Sequence, residues 1–344
     1  MLLYNSGTFP LKFGFPPFLM TLAYDFIMQN NHPVVLKLEG GLGNQLFELA
    51  AGFYLAAKLD TDLQIDQYSI PLTTVHGETK NGFEDFEEII LPNSRKIKVM
   101  ATLPNTLITS LAKRNTYIKR IALKLRLIRS NKHKLSLFLE TNEIISISRF
   151  FEITVPSKIH GNFQSWRIVE KAADYGFPRV FQLREVPTWI LDLQKIIDFK
   201  KSIVLHFRAG DDARNNLDFA QPTIEYYSEA LKILQQKIAL PKRYILSDDI
   251  TKVKEMFGAQ LGEDFHYLEM PDTASPAERL YVLSQFGGIV CANSTFCGWA
   301  AWSIYNSGGE VIVPLPYSDG LVLGSRDFPS KWVQLDKSNG AKLS

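Results

Sequence analysis

Three short stretches in the second half of the chain carry side chains suited to a nucleoside diphosphate. His206, Phe207, Arg208, Ala209, Gly210, Asp211 and Asp212 place a guanidinium beside a glycine directly after an apolar run. An arginine fork donates two parallel hydrogen bonds to a phosphate and keeps its charge. The competing use of these residues is an Arg208–Asp211 ion pair that pins the turn. Ser247, Asp248 and Asp249 follow Tyr244–Leu246. A carboxylate there can accept from a ribose hydroxyl or from the N1–H and amino group of guanine, or it can cap the next helix. Asn293, Ser294, Thr295 and Phe296 follow Gly288–Ala292. Hydroxyls and open N–H groups at a helix start suit a phosphate, and Ser294 as a plain cap is the alternative.

A fourth stretch, VVLKLEGGLGNQLFELAAGFYLAAK at residues 34–58, runs from a strand through glycines into a helix. Gly40, Gly41 and Gly43 permit positive φ and close ligand approach, and Asn44 is placed to cap the helix. Leu46, Phe47, Leu49, Ala50, Phe53, Tyr54 and Ala57 recur at helical spacing, a face that packs on a sheet. The backbone N–H groups and the helix dipole then point at an anion or sugar. A tight turn with no ligand is the other reading. Gly41-Leu42-Gly43 also begins a dinucleotide fingerprint, with Asp66 about twenty residues on as a ribose-binding acid. Leu46 breaks it, because the third glycine lets helix and strand pack closely.

Elements in regular alternation must position these stretches. From Lys201, strands Ile203–Phe207, Arg243–Leu246, Phe265–Leu268, Gly288–Ala292 and Val311–Pro314 alternate with helices Thr223–Leu240, Thr251–Gly258, Pro276–Gln285 and Thr295–Asn306. That order implies a parallel sheet with right-handed crossovers, and ligands then bind off the carboxyl ends of its strands. Before it, Leu63–Asp66 reads as a second strand, Ile147–Ile153 as extended, and Lys158–Phe163 leads into a helix at Gln164–Trp166. The expectation is two α/β units facing a cleft: residues 33–200 and residues 201–344. A chain of 344 residues accommodates both.

The charge distribution adds a second theme. Residues 92–139 hold twelve Lys or Arg and no Asp or Glu, although the whole chain carries only +2. Leu111, Ile118, Ile121, Leu125 and Ile128 keep helical spacing within this run, which reads as a basic amphipathic insertion. It can lie on an anionic membrane surface or dock on its own domain with a solvated basic face. Nucleic acid is disfavoured because no recognised nucleic-acid module accompanies it. Residues 1–32 read as a leader, with Met28 a candidate start. They lack the apolar run of a membrane span and the features of a signal peptide. Cys291 and Cys297 show no metal-ligand spacing and read as buried thiols of a reducing, cytoplasmic compartment.

GGLGNQLFELA, the HxRxGD string at 206–211, LSDDI at 246–250 and ANSTFCGWAAW at 292–302 together resemble the ordered motifs of glycosyltransferase family 11, the α-1,2-fucosyltransferases. HGNFQSWRIVE at 160–170 resembles that family's GYWQS-like segment. The resemblance implies a GT-B-like fold of two Rossmann-like parallel-sheet domains. It implies transfer of L-fucose from GDP-β-L-fucose to the 2-hydroxyl of a galactoside, with inversion and no required metal or other cofactor. Carried onto this chain, Arg208 would bind the β-phosphate and stabilise the departing GDP, with His206 and Asp211 beside it in the catalytic group. Asp248 or Asp249, with His206, would read guanine and ribose. Asn293, Ser294, Thr295 and Phe296 would hold the donor from the opposite side. Gly41, Gly43, Asn44, Gln45 and Gln164 would line the acceptor side of the cleft. The partners implied are GDP-fucose and a galactose-containing glycan of a surface polysaccharide or glycoprotein.

This chain departs from the family at Ala209, where a second arginine is usual and Arg214 is a candidate substitute. It departs again at Gly298, where tryptophan is usual, and at Asn162, where tyrosine is usual. The general base is open among Asp211, Asp212, Glu39 and His76. Three other readings compete: an NAD(P)-dependent oxidoreductase, a metal-dependent transferase using Asp60-Thr61-Asp62, and a non-catalytic nucleotide-sugar or glycan-binding protein. The first leaves the Arg208 and Ser294 stretches unexplained, and in the second the acidic string precedes its strand instead of following it.

Overall fold

The computed structural model describes residues 33–38, 40–66, 82–100, 150–154, 156, 158–210, 221–261, 264–316 and 328–343. They belong to one compact unit, Pro33–Ser344, built on two parallel sheets. The first contains β1 (Val34–Lys37), β2 (Leu63–Asp66), β3 (Ile97–Met100) and β4 (Lys158–Ile159), in the order β3-β2-β1-β4. The second contains β5 (Ser202–Phe207), β6 (Lys242–Ser247), β7 (Phe265–Tyr267), β8 (Gly288–Val290), β9 (Glu310–Leu315) and β10 (Val333–Asp336), in the order β10-β9-β8-β5-β6-β7. Every pairing within both sheets is parallel.

Strand order determines where a ligand can enter. In the first sheet the order reverses between β1 and β4, and in the second between β5 and β8. A crevice opens at such a switch point because the flanking connections leave in opposite directions. The β1 and β4 ends lead into the 40–44 and 160–164 loops, and the β5 and β8 ends lead into the 208–210 and 293–295 loops. Three of the four stretches singled out from residue type therefore lie at a switch point, and Ser247–Asp249 follows β6 next door.

Helices α1 (Leu42–Lys58), α2 (Trp166–Asp174) and α3 (Thr188–Ile196) accompany the first sheet. Helices α4 (Ile224–Lys237), α5 (Ile250–Leu261), α6 (Pro276–Leu283) and α7 (Thr295–Asn306) accompany the second. Helix α1 is apolar on nearly every face because it is covered by β1, α2 and α7 together. One large core runs from this helix to the face of the second sheet bearing Val204, Ile289 and Cys291. A smaller one, with Ile203, Leu205, Phe207, Tyr226 and Tyr227, lies behind that sheet. This is the period-2 alternation of a sheet covered on both faces. Trp166 joins the halves, its ring centroid 4.9 Å from Trp332, 5.3 Å from Trp299 and 5.7 Å from Trp302.

Several elements differ from the sequence expectations. The start of the basic stretch is a single 3-10 turn, Pro92–Ser94, followed by strand β3, and two of its cations are paired, Arg95 with Asp60 at 2.9 Å and Lys98 with Asp62 at 2.8 Å. Residues 101–139 lie outside the described part, as does the leader. Phe150 and Phe151 are helical where an extended piece was expected. Asn44 does not cap α1; the cap position is Gly41, with extended backbone. Both cysteines are buried thiols as expected, the Cys291 Sγ donating to the Cys297 carbonyl at 3.6 Å. Among the described residues no helix is long and apolar enough to cross a membrane.

Candidate active site

Strand β5 sets one wall. Its alternation turns Phe207 to the rear, where the ring stacks on Tyr227 at 4.0 Å, and turns His206 to the front with Val204. The Tyr227 hydroxyl donates to the His206 carbonyl at 3.0 Å and holds the strand end in place. The His206 side chain is almost fully enclosed, with residue exposure of 6%, and its Nδ1 has no hydrogen-bond partner among the described residues. Burial pushes the imidazole down to about 4. The Asp248 carboxylate pulls it back up and the Arg208 guanidinium adds to the depression. His206 is therefore neutral at physiological pH. A neutral ring can accept or donate one hydrogen bond but supplies no cation, so Arg208 carries the positive charge at this strand end.

Asp248 is engaged with the turn after β5. Its Oδ1 accepts from the backbone N–H of Ala209 at 2.7 Å and of Gly210 at 3.1 Å, which shapes the turn that launches Arg208. A side chain at Gly210 would meet its Oδ2 at 2.7 Å. Ala209, where the resemblance leads one to expect arginine, is buried in the rear core, and Arg214 lies outside the described residues. Asp249 caps α5 by accepting from the Lys252 N–H at 3.0 Å, the alternative that its position allowed.

The facing wall is a meeting of helix starts. Asn44 Oδ1 accepts from Gln164 Nε2 at 3.1 Å and from Thr295 Oγ1 at 3.1 Å, tying together the loops after β1, β4 and β8. Trp299 Nε1 donates to the Gly43 carbonyl at 2.8 Å. Gly43 is a glycine because α7 comes this close: a Cβ there would lie 2.5 Å from the Phe296 nitrogen and 2.6 Å from Thr295 Oγ1. The expected reason, approach of a ligand, is replaced by approach of a helix. Of the three loop glycines only Gly40 has positive φ, at 74°. Gly41 borders open space, with nothing within 4 Å of a Cβ built on it.

Gln45 points away from this wall and is fully buried. Its Nε2 donates to the Gly40 carbonyl at 2.9 Å and its Oε1 accepts from the Gly82 N–H at 3.0 Å, so it braces the glycine loop from behind. Ser294 occupies the cap position of α7 without a side-chain capping bond, which leaves its hydroxyl uncommitted to the helix. The Phe296 ring lies 6.3 Å from the His206 ring and links the α7 start to the β5 end. Asn293 is fully buried beneath that start. Asp211, Asp212, Glu39 and His76 lie outside the described residues.

Residue type alone did not reveal a pocket beside the helix starts, lined by Phe47, Gln164, Trp166, Ala292, Ser294, Thr295, Val313 and Phe328. Gly298 also lines it, and a Cβ there would come within 2.9 Å of Trp166 Cζ2. Trp166 thus fills the space that the family's bulky residue at this position would need. The glycine at 298 was the single sequence signal of this arrangement. Among the described residues no group of three or more His, Cys, Asp or Glu side chains is placed to hold a metal ion.

Two parallel sheets meeting across their switch points, with an arginine-bearing strand end opposite paired helix starts, have the layout of a GT-B-like glycosyltransferase. The sequence comparison narrows the class. Glycosyl transferase family 11 matches residues 33–335, and the chain belongs to that family. An Escherichia coli α-1,2-colitosyltransferase is 26% identical over 327 residues, covering 88% of this chain and 99% of the relative. The Escherichia coli O-antigen biosynthesis glycosyltransferase WbnK is 23% identical over 293 residues, covering 77% of this chain and 88% of the relative. Among solved structures, the fucosyltransferase NodZ from Bradyrhizobium aligns with a TM-score of 0.44 at 15% identity over 79% of this chain and 93% of its own.

Proposed function

We propose that the protein transfers L-fucose from GDP-β-L-fucose to the 2-hydroxyl of a galactoside in a surface glycan, in one inverting displacement. The observation that carries this reading is the turn after β5, where Asp248 braces the backbone that projects Arg208 beside a neutral, enclosed His206. As the glycosidic bond breaks, negative charge grows on the β-phosphate. A fixed guanidinium and helix N-termini stabilise that charge more in the transition state than in the ground state. The Ser294 hydroxyl, which makes no capping bond, and the dipole of α7 hold the diphosphate from the other side. His206 reads the nucleoside, its Nδ1 having no hydrogen-bond partner among the described residues. Asp211, Asp212, Glu39 and His76 are the candidates for the base that takes the acceptor proton, and a water-relayed or strongly dissociative displacement would need none of them. In this reading positive side chains and helix dipoles replace a divalent cation, so no metal is required. The name of the colitosyl relative supports a second donor, GDP-colitose, which shares the 6-deoxy-L-hexose skeleton.

The test is incubation with GDP-fucose and a panel of galactosides, reading fucosylated product and GDP by mass spectrometry. Arg208→Ala should lower turnover by at least about 100-fold with the fold intact, the size seen when one oxyanion-type donor is removed. Substantial retained turnover would remove Arg208 from the mechanism. Absence of product with every galactoside, together with product from GDP-colitose, would transfer the donor assignment.

A further inference from the structure

Strands β1 and β4 flank the switch point of the first sheet, and β4 is only two residues long. Its pairing with β1 runs to Leu36 and Ile159. The next position on each strand extends the junction through side chains, Lys37 Nζ lying 3.2 Å from His160 Nε2. An ammonium can only donate, so the ring nitrogen accepts. The chain then turns through Gly161, with φ of 144°, and Phe163, with φ of 46°. Left-handed backbone is sterically costly for an aromatic residue, and such outliers persist only where the surroundings hold them. The Phe163 side chain is buried, its ring 5.6 Å from that of Phe150, and the next residue, Gln164, donates to Asn44 Oδ1 at 3.1 Å. Loop 160–164 is thus fastened at both ends to the segment that runs from β1 into α1. Between the fastenings its one exposed residue is Asn162.

We infer that loop 160–164 is a preformed platform for the acceptor sugar, with the Asn162 amide hydrogen-bonding its hydroxyls and with Lys37 and His160 as positioning residues; this rests on the transfer reading above. The switch point of the second sheet already carries His206 and Arg208, which leaves the crevice of the first sheet for the other substrate. A primary amide suits a neutral sugar, because it offers two donors and an acceptor in one plane and carries no charge. A loop fixed before binding loses little conformational freedom when the acceptor arrives, so each contact contributes more of its energy to affinity. Strained backbone of the kind held at Phe163 clusters at binding and catalytic sites.

The experiment is steady-state transfer by the full-length protein, with the galactoside and the nucleotide sugar varied in turn. Asn162→Ala should raise the acceptor KM about 3- to 10-fold, the size of one neutral hydrogen bond, and leave the donor KM and the urea unfolding midpoint unchanged. Lys37→Met should also raise the acceptor KM, and Lys37→Arg, which keeps a donor for His160, should recover most of the loss. A pair that served stability alone would lower the unfolding midpoint without separating acceptor KM from donor KM. An unchanged acceptor KM in Asn162→Ala, or a rise that the donor KM shares equally, would overturn the platform while transfer by the unaltered protein upholds the reading it rests on. Absence of transfer by the unaltered protein from either GDP-fucose or GDP-colitose to any galactoside would reject both.

Discussion

Gly41 and Gly43 stand two residues apart in one loop, yet the structure makes opposite demands on them. A Cβ on Gly43 would sit 2.5 Å from the Phe296 nitrogen, 2.6 Å from Thr295 Oγ1 and 2.7 Å from the Thr295 carbonyl carbon. Restoring ordinary contact requires the α7 start to retreat by about 1 Å, since carbon and nitrogen pack at roughly 3.5 Å. Helix propensity alone would favour alanine over glycine by about 1 kcal/mol. Overpacking against backbone costs about 1–3 kcal/mol, and the retreat also strains the Trp299–Gly43 and Thr295–Asn44 bonds. Gly43→Ala should therefore lose about 1–2 kcal/mol net in urea unfolding. Because a displacement of that size misplaces donor-binding groups, turnover should fall by up to about 100-fold. Gly41→Ser is the matched control. Its Cβ enters open space, its φ of −78° suits any residue, and serine is a strong helix cap. It should be neutral or stabilising. Equal unfolding midpoints for Gly43→Ala and the unaltered protein, or a larger loss from Gly41→Ser, would refute the view that helix contact dictates the glycine at 43.

Other consequences are equally direct. The His206 pKa of about 4 lies below its value of 6.5 in an unfolded chain, so between these pH values the unfolded state binds more protons. Its contribution to stability is intact above pH 6.5 and is lost as pH falls toward 4, about 3 kcal/mol in all. Denaturant titrations at pH 4.5 and 7.5 should show that His206→Gln flattens this dependence, and identical slopes would exclude the histidine as its source. Asp248→Ala strands the Ala209 and Gly210 N–H groups and should cost about 1–3 kcal/mol, together with a loss of GDP affinity measurable by titration. Chelation with EDTA should leave the transfer rate unchanged; a loss restored by a divalent cation would show that Arg208 and the helix dipoles do not suffice.

The second sheet was readable because each of its strands is a short apolar run bounded by turn residues and followed by a helical period. Thr295–Asn306 was placed to the residue, and β5 through β9 to within one or two. β3 was missed because Ile97-Lys98-Val99-Met100 alternates apolar and basic residues inside a longer basic run, and the charge pattern concealed a strand whose lysine pairs with Asp62. β10 was missed because nothing before Val333 announces a further crossover. In the candidate site, residue type singled out Arg208, His206 and Ser294 at strand ends but could not distinguish side chains facing the gap from those bracing it. Gln45 and Asp249 turn to backbone groups of their own neighbourhoods, choices fixed by long-range packing. The apolar pocket left almost no trace, since Ala292 and Val313 look like any core residues until α7 is laid against α1.

The junction also carries its own optical signal. Of the five tryptophans in the chain, Trp166, Trp299, Trp302 and Trp332 gather around one point between the sheets. Rings at these separations exchange excitation energy, so near-ultraviolet dichroism and emission of the unlabelled protein should report on this cluster. A donor that draws the walls together, or a denaturant that parts them before either sheet melts, will change that spectrum ahead of the far-ultraviolet signal. Tryptophan emission during titration with a nucleotide sugar, with no added fluorophore, is the measurement that checks this.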